Sequence, residues 1–294
     1  MFWTIKSVLQ WTAEYFTKLG VDSPRVDAEI LLAKVLDCNR VKLYIDQDKP
    51  LSQSELNAMH KMVERRGRHE PVAYILGSKG FMTDDFLVTP AVLVPRPETE
   101  LLVEVVARIF EGEPIRFLDM GTGSGAIAIS LLKLLPEARG VAADISKEAL
   151  QVAQQNAVKI GVAERLQFVQ SDLYQRVGTE RFDLLISNPP YISDEDMAVL
   201  EPDVLQEPRL ALAGGADGLD FYRRIIADAG QHLTPDGVLA FEFGMGQAEP
   251  IRQLLLDKGY AAVAVTRDYA GLERDIFATR KDGKYADRIL AINK

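Results

Sequence analysis

A chain of 294 residues can hold a small domain joined to a larger one, and 47% hydrophobic and 26% charged content is ordinary for a globular protein. No apolar run approaches a membrane span, and the opening MFWTIKSVLQWTAEYF sets charge inside its apolar pattern, so a signal peptide is excluded and a cytoplasmic protein expected. One cysteine, Cys38, excludes an internal disulfide and reads as structural, three scattered histidines offer no metal site, and a net charge of −9 disfavours a phosphate-backbone partner.

Residues Phe2 to Leu19 place Trp3, Val8, Trp11, Tyr15 and Leu19 at helical spacing, which predicts a helix with aromatics in its core. Ser23-Pro24 before VDAEILLAKVL reads as an N-cap with proline at the first helical position. A third helix starts at Ser52, with Glu55 completing a capping box, and runs to about Gly67. Residues 1–77 are therefore expected to form a helical bundle, and its basic cluster Lys61–Arg68 reads as a solvated helix face. From Gly77 to Pro95 short runs (Phe86-Leu87-Val88, Val92-Leu93-Val94) between turn residues predict a β-hairpin linker, residues 78–95. Arg96-Pro97-Glu98-Thr99-Glu100 then opens an apolar-periodic helix, as proline and acidic residues suit a helix start.

After Pro114 strands and helices alternate, which predicts an α/β fold with a parallel sheet over residues 96–280. Strands are expected near 115–120, 140–144, 166–171, 182–187, 238–243, 262–266 and 274–278, and helices near 126–135, 147–160, 219–232 and 248–258. The connection 194–217 is long and acidic, where a lid or substrate loop could sit, and residues 281–294 read as a charged tail.

Four predicted strand ends carry candidate chemistry. Gly121-Thr122-Gly123-Ser124-Gly125 follows the first, where alternate glycines let backbone approach a ligand and a helix start attracts an anion. Asp144 closes the second, placed to accept from both hydroxyls of a ribose, and Asp172 closes the third, placed to meet an adenine amino group with Leu173 against the base. Gly121, Gly123 and Ala126 also satisfy a dinucleotide fingerprint, so a nicotinamide dehydrogenase enters the comparison. Phe182–Ser187 is a buried parallel strand that stops at Asn188-Pro189-Pro190-Tyr191. Two prolines end the ladder and stiffen the turn, leaving carbonyls with no neighbouring N–H, one carboxamide and one ring. Carbonyl and carboxamide oxygens can accept both hydrogens of a substrate NH2 group. Taken alone, the tetrapeptide fits this or an ordinary proline turn.

Together the four strand ends resemble those of class I S-adenosylmethionine-dependent methyltransferases, and Asn188-Pro189-Pro190-Tyr191 is similar to the signature of those that methylate planar NH2 nitrogens. SPRVDAEILL from Ser23, EPVAYILG from Glu70, RPETE from Arg96 and ALAGG from Ala211 further resemble the HemK/PrmC peptide chain release factor glutamine methyltransferases, a likeness covering about residues 5–280. The resemblance implies a Rossmann-like seven-stranded sheet with its last strand antiparallel, S-adenosyl-L-methionine as cofactor, and N5-methylation of the Gly-Gly-Gln glutamine of class-1 release factors, held partly by the helical domain. It implies cofactor contacts from Gly121 to Gly125, Asp144, Asp172, Leu173 and Asn188, substrate contacts from Asn188, Pro189, Pro190, Tyr191 and Arg96, catalysis at Asn188 to Tyr191, and no metal. Leu173 stands where the family often has an aromatic residue, and the 281–294 tail extends past its usual end.

A glutamine amide nitrogen is a weak nucleophile, so positioning should outweigh acid–base work: the Asn188 oxygen and Pro189 carbonyl are expected to accept the two amide hydrogens, with Tyr191 against the flat carboxamide. Methylation of a ribosomal-protein glutamine, an adenine-N6 nucleic-acid methyltransferase and an inactive binding module are the alternatives. Charge weighs against the nucleic-acid reading: residues 1–77 hold 11 Lys and Arg against 10 Asp and Glu, which leaves 23 against 33 in the catalytic part.

Overall fold

The structure is a computed structural model and describes residues 3–292. Phe2, where the first helix was expected to begin, and the last two residues lie outside them. The chain divides into two compact units, one of residues up to 78 with 201–206, the other of 79–200 with 207 onward.

The first unit is helical: α1 (Ile5–Lys18), α2 (Pro24–Val35), α3 (Arg40–Ile45), α4 (Gln53–Gly67) and α5 (Val72–Leu76). Capping boxes form at Thr4 and Ser52, and Pro24 takes the first position of α2, but Ser23 before it makes no side-chain cap hydrogen bond, so α2 starts on the proline alone. The aromatic stripe of α1 is not the core. Two stripes run at helical period, and the one of Ile5, Val8, Leu9 and Phe16 is buried, while Trp3, Trp11 and Tyr15 stay at the surface, Trp11 stacked on Tyr15 at 5.3 Å. Cys38 packs half-buried against this core. Nor is the basic cluster simply solvated: Arg66 is buried, donating to Asp27 at 2.7 Å and to Asp203 at 2.5 Å.

The second unit opens with a hairpin, β1 (Ser78–Phe81) and β2 (Asp84–Leu87). It lies earlier than the apolar runs suggested, and residues 92–94 form no strand. Then follow α6 (Glu98–Ile109), β3 (Arg116–Met120), α7 (Ala126–Leu134), β4 (Arg139–Asp144), α8 (Lys147–Ile160), β5 (Leu166–Gln170), β6 (Phe182–Ser187), α9 (Asp194–Met197), α10 (Asp220–His232), β7 (Leu233–Glu242), α11 (Ala248–Asp257), β8 (Ala262–Arg267), β9 (Glu273–Thr279) and α12 (Ala286–Leu290). Seven strands make one sheet in the order β5-β4-β3-β6-β7-β9-β8, in which only β9 runs antiparallel to its neighbours. β7 begins at Leu233, five residues before the expected start, because Thr234-Pro235-Asp236-Gly237 is absorbed as a register irregularity against β6.

Alternate residues of the strands feed two cores, one under α6, α7 and α8 and one under α10 and α11. The chain builds outward from β3 to β5 and then returns to β6, so strand order reverses between β3 and β6. In open α/β sheets ligands bind at the carboxyl end of that reversal. The tail is structured: Ile289 is fully buried, Tyr285 packs on Phe110 with ring centroids 4.6 Å apart, and Arg288 donates to the Ile109 carbonyl at 2.6 Å.

Candidate active site

The loop after β3 and the turn after β6 border one cavity of about 270 Å³, near the lower end of small-molecule sites. Its lining includes Gly121, Thr122, Gly123, Ser124, Asp144, Asp172, Leu173, Asn188, Pro189, Pro190 and Arg96. Gly125 lies beneath the loop: it has φ +81° and a Cβ there would meet Ile129 Cδ1 at 2.9 Å and Ala153 Cβ at 3.1 Å, so it lets α7 start close against α8. Gly121 and Gly123 also have positive φ, and at both the space a Cβ would take is open. Fully buried Asn156 braces the loop, donating to Ser124 O at 2.9 Å and to Leu87 O at 3.0 Å.

Asp144 is locked in place by the backbone. Its Oδ2 accepts from Gly123 N–H and its Oδ1 from Ser146 N–H, each at 2.9 Å. Burial pushes its carboxyl up despite these bonds. Each oxygen keeps a second lone pair for a hydroxyl. Under the loop Asp119 is fully buried, its Oδ2 accepting from Thr122 Oγ1 at 2.6 Å and its Oδ1 without a partner among the described residues. Burial raises it to about 7. Asp172 lines the cavity with Oδ1 held by Arg224 at 2.7 Å, and Leu173 adopts φ +48°, a strained backbone for a bulky side chain. Phe221, with the Arg224 guanidinium 5.8 Å from its ring centroid, lines the same end. Bare loop backbone, a pre-set carboxylate with spare lone pairs and an apolar end fit a nucleoside with an anionic or zwitterionic tail.

The turn after β6 is anchored below by Ser187 Oγ, which donates to Met120 O at 2.6 Å. Asn188 Nδ2 donates to Thr99 Oγ1 on the first turn of α6, 3.4 Å away. No donor among the described residues reaches Asn188 Oδ1 or the Pro189 carbonyl. The Tyr191 ring is not part of the cavity lining. It lies on Gly244, where a Cβ would be 2.9 Å from Tyr191 Cδ2, and its carbonyl accepts from Gln247 Nε2 at 2.9 Å. Arg96 is committed to an ion pair with buried Glu207, whose other oxygen accepts from Val94 N–H at 2.9 Å. Thr99, Glu207, Phe221 and Arg224 were not singled out from sequence. Thr99 alone had a signal, its place in RPETE.

The helical unit matches the family model "PrmC N-terminal domain" over residues 7–77, and the sheet matches "Methyltransferase small domain" over residues 97–213. The release factor glutamine methyltransferase of Geobacter sulfurreducens is 43% identical over 92% of this chain and 95% of its own length. The chain belongs to the release factor glutamine methyltransferase family. A bifunctional methyltransferase of Rickettsia felis is 37% identical over 98% of this chain, which spans 61% of that longer protein. Among solved structures, the hMettl16 catalytic domain in complex with a MAT2A 3'UTR hairpin superposes with a TM-score of 0.54 at 17% identity, over 66% of this chain and 74% of that one, a likeness of fold. Membership fixes the class of enzyme: a methyltransferase of glutamine. Among the described residues no helix is long and apolar enough to cross a membrane, and no group of three or more His, Cys, Asp or Glu side chains is placed to hold a metal ion.

Proposed function

We propose that this protein transfers a methyl group from S-adenosyl-L-methionine to the side-chain amide nitrogen, N5, of the glutamine in the Gly-Gly-Gln loop of class-1 release factors, in the cytoplasm. The observation that carries the reading is the state of the turn: Asn188 spends its N–H on Thr99, and its oxygen and the Pro189 carbonyl are left as acceptors at the cavity wall. A primary carboxamide presents two coplanar N–H donors, and two converging acceptors match it. Taking one hydrogen each, Asn188 Oδ1 and Pro189 O fix the plane and position of the substrate nitrogen. They also favour positive charge building on that nitrogen as its lone pair leaves conjugation, and the proton it then sheds passes to water. When bound, S-adenosyl-L-methionine supplies an electrophilic methyl group on a cationic sulfur, so no side chain has to be a strong base.

Asp144 would hold the ribose hydroxyls with the lone pairs that Gly123 and Ser146 leave free, residues 121–125 would receive the amino-acid end, and Asp172 and Leu173 would meet the base. Arg96 and Glu207 brace the wall on the substrate side, Pro190 keeps the turn rigid, and Tyr191 pins its far end on Gly244. Residues 1–77 dock the protein substrate, 78–95 link them to the methyltransferase domain of 96–280, and the tail packs on that domain through Tyr285, Arg288 and Ile289. Tandem mass spectrometry of a class-1 release factor incubated with the protein and cofactor tests the reading. One methyl on the glutamine side chain is expected; methylation of a ribosomal-protein glutamine or of adenine instead would overturn it.

A further inference from the structure

Asn188 has two ways round, and only one leaves an acceptor for substrate. One residue past the last register pair of β6 and β7, Ser187↔Phe241, come Asn188 and Glu242, so strand alternation sends both side chains to the face covered by α6. Glu242 pairs with Asp275 on β9, and Asp275 with Thr266 on β8, whose hydroxyl donates to Asp275 Oδ2 at 2.7 Å. A polar row therefore crosses an otherwise apolar face, from the substrate turn to the sheet edge. Glu242 and Asp275 are fully buried, each with one oxygen lacking a partner among the described residues. Burying two carboxyls side by side, each with one oxygen unsatisfied, is costly.

We propose that Glu242, acting through Thr99, sets the orientation of the Asn188 carboxamide and is a positioning residue for methyl transfer. The Thr99 hydroxyl, which takes the Asn188 amide at 3.4 Å, and the Asn188 side chain both stand close enough to the Glu242 carboxyl to act on it as donors and favour its ionised form. An ionised carboxylate only accepts, so the Thr99 hydrogen must point at it. The Thr99 lone pairs then face Asn188, which can meet them only with its NH2 group, and Asn188 Oδ1 is driven to the substrate side. Protonated Glu242 donates instead, Thr99 Oγ1 turns its hydrogen on Asn188, and the carboxamide flips to present N–H to a substrate that brings N–H. Burial, then Glu98 of α6, push the Glu242 carboxyl up to about 7, against the Thr99 hydrogen bond and Arg274. Asp275 of β9, up to about 8 by burial, Tyr191, and Tyr222 of α10 complete its surroundings. The orientation should hold above about pH 7 and be lost below it.

The inference rests on the proposed methyl transfer for its kinetic arm only. In the first arm, the Asn188 side-chain amide resonances, assigned by their loss in Asn188→Ala, are followed by nitrogen–proton NMR from pH 5.5 to 8.5 without substrate. The parent should titrate with a midpoint near 7, and Glu242→Gln should not. In the second, kcat of the parent should fall on the acid side with the same midpoint. Glu242→Gln should lose roughly tenfold or more in kcat at pH 8 and lose the acid limb, with cofactor affinity and KM for the release factor within about twofold. Should Glu242→Gln not fold, Thr99→Val removes the part of the link that runs through Thr99, leaving Asn188 beside Glu242, and Thr99→Ser should restore the loss. A Glu242→Gln or Thr99→Val protein that keeps the parent's resonance shifts and acid limb overturns the proposal. A parent that titrates but leaves release factors unmethylated overturns the function and leaves the orientation standing.

Discussion

Asp144 takes a backbone N–H on each oxygen, so its side chain is set before any ligand arrives, and its loss should separate binding from turnover. Asp144→Ala is expected to weaken S-adenosyl-L-methionine binding roughly ten- to hundredfold by calorimetry, since a hydrogen bond to a charged group contributes about 1.5–3 kcal/mol. Unchanged affinity would move the ribose contact elsewhere. Strand-end residues of this kind can be read from sequence, because an acid, a glycine or an asparagine that closes a buried apolar run has few structural reasons to be there. Glu242 and Thr99 cannot. Glu242 sits inside the run VLAFEF, and what makes it more than a misplaced charge is its neighbour across two strand registers and the start of α6. Tyr191 was expected against the substrate because it follows the prolines; its ring lies on the bare backbone of Gly244, which sequence distance hides.

The glycines of ALAGG act through the element they touch. A Cβ on Gly214 would lie 2.8 Å from the Pro190 carbonyl oxygen and from Tyr191 Cα, backbone atoms that can yield only if the turn shifts. Gly214→Ala should therefore lower kcat, up to about 100-fold for a displacement near 1 Å, while calorimetry finds cofactor affinity retained; parent-like kcat would mean that the turn tolerates movement. At the other end α12 buries Ile289 completely. Ile289→Ala should cost about 2–5 kcal/mol, read from denaturant unfolding, whereas a loose tail would give almost nothing. The parallel strands β3 to β6 were legible since they are short, apolar on both faces and end in turn or acidic residues. The short helices α3, α5, α9 and α12 were not, because five or so residues carry too little periodicity and tertiary contact decides them. The hairpin was placed late for a related reason: the β-branched runs 86–88 and 92–94 outscore Ser78–Phe81, whose pairing is fixed by the turn at Met82 and Thr83.

Across the whole molecule, three buried carboxyls, Asp119 and Glu242 at about 7 and Asp275 at about 8, are held up chiefly by burial. Their folded-state values exceed the unfolded ones, so the native state binds more protons between roughly pH 4 and 8, and the stability they give below that window is lost as pH rises through it. Self-repulsion from a net charge of −9 acts in the same direction. Thermal unfolding should give a higher Tm at pH 6 than at pH 8.5, and Glu242→Gln should narrow the gap; a higher Tm at pH 8.5 would show that these acids ionise freely. Conditions that favour the correctly oriented turn are thus those in which the fold is weaker, as expected where a site is built at the expense of stability. The acidic balance of the residues beyond 77 and the bared acceptors of the turn after β6 both fit a protein carboxamide better than a nucleic acid. Single-turnover methylation of a class-1 release factor by Asn188→Ala, with cofactor bound, bears on this most directly: a rate roughly 100-fold or more below the parent's with unchanged cofactor affinity is predicted, and a parent-like rate would contradict capture of the amide by this turn.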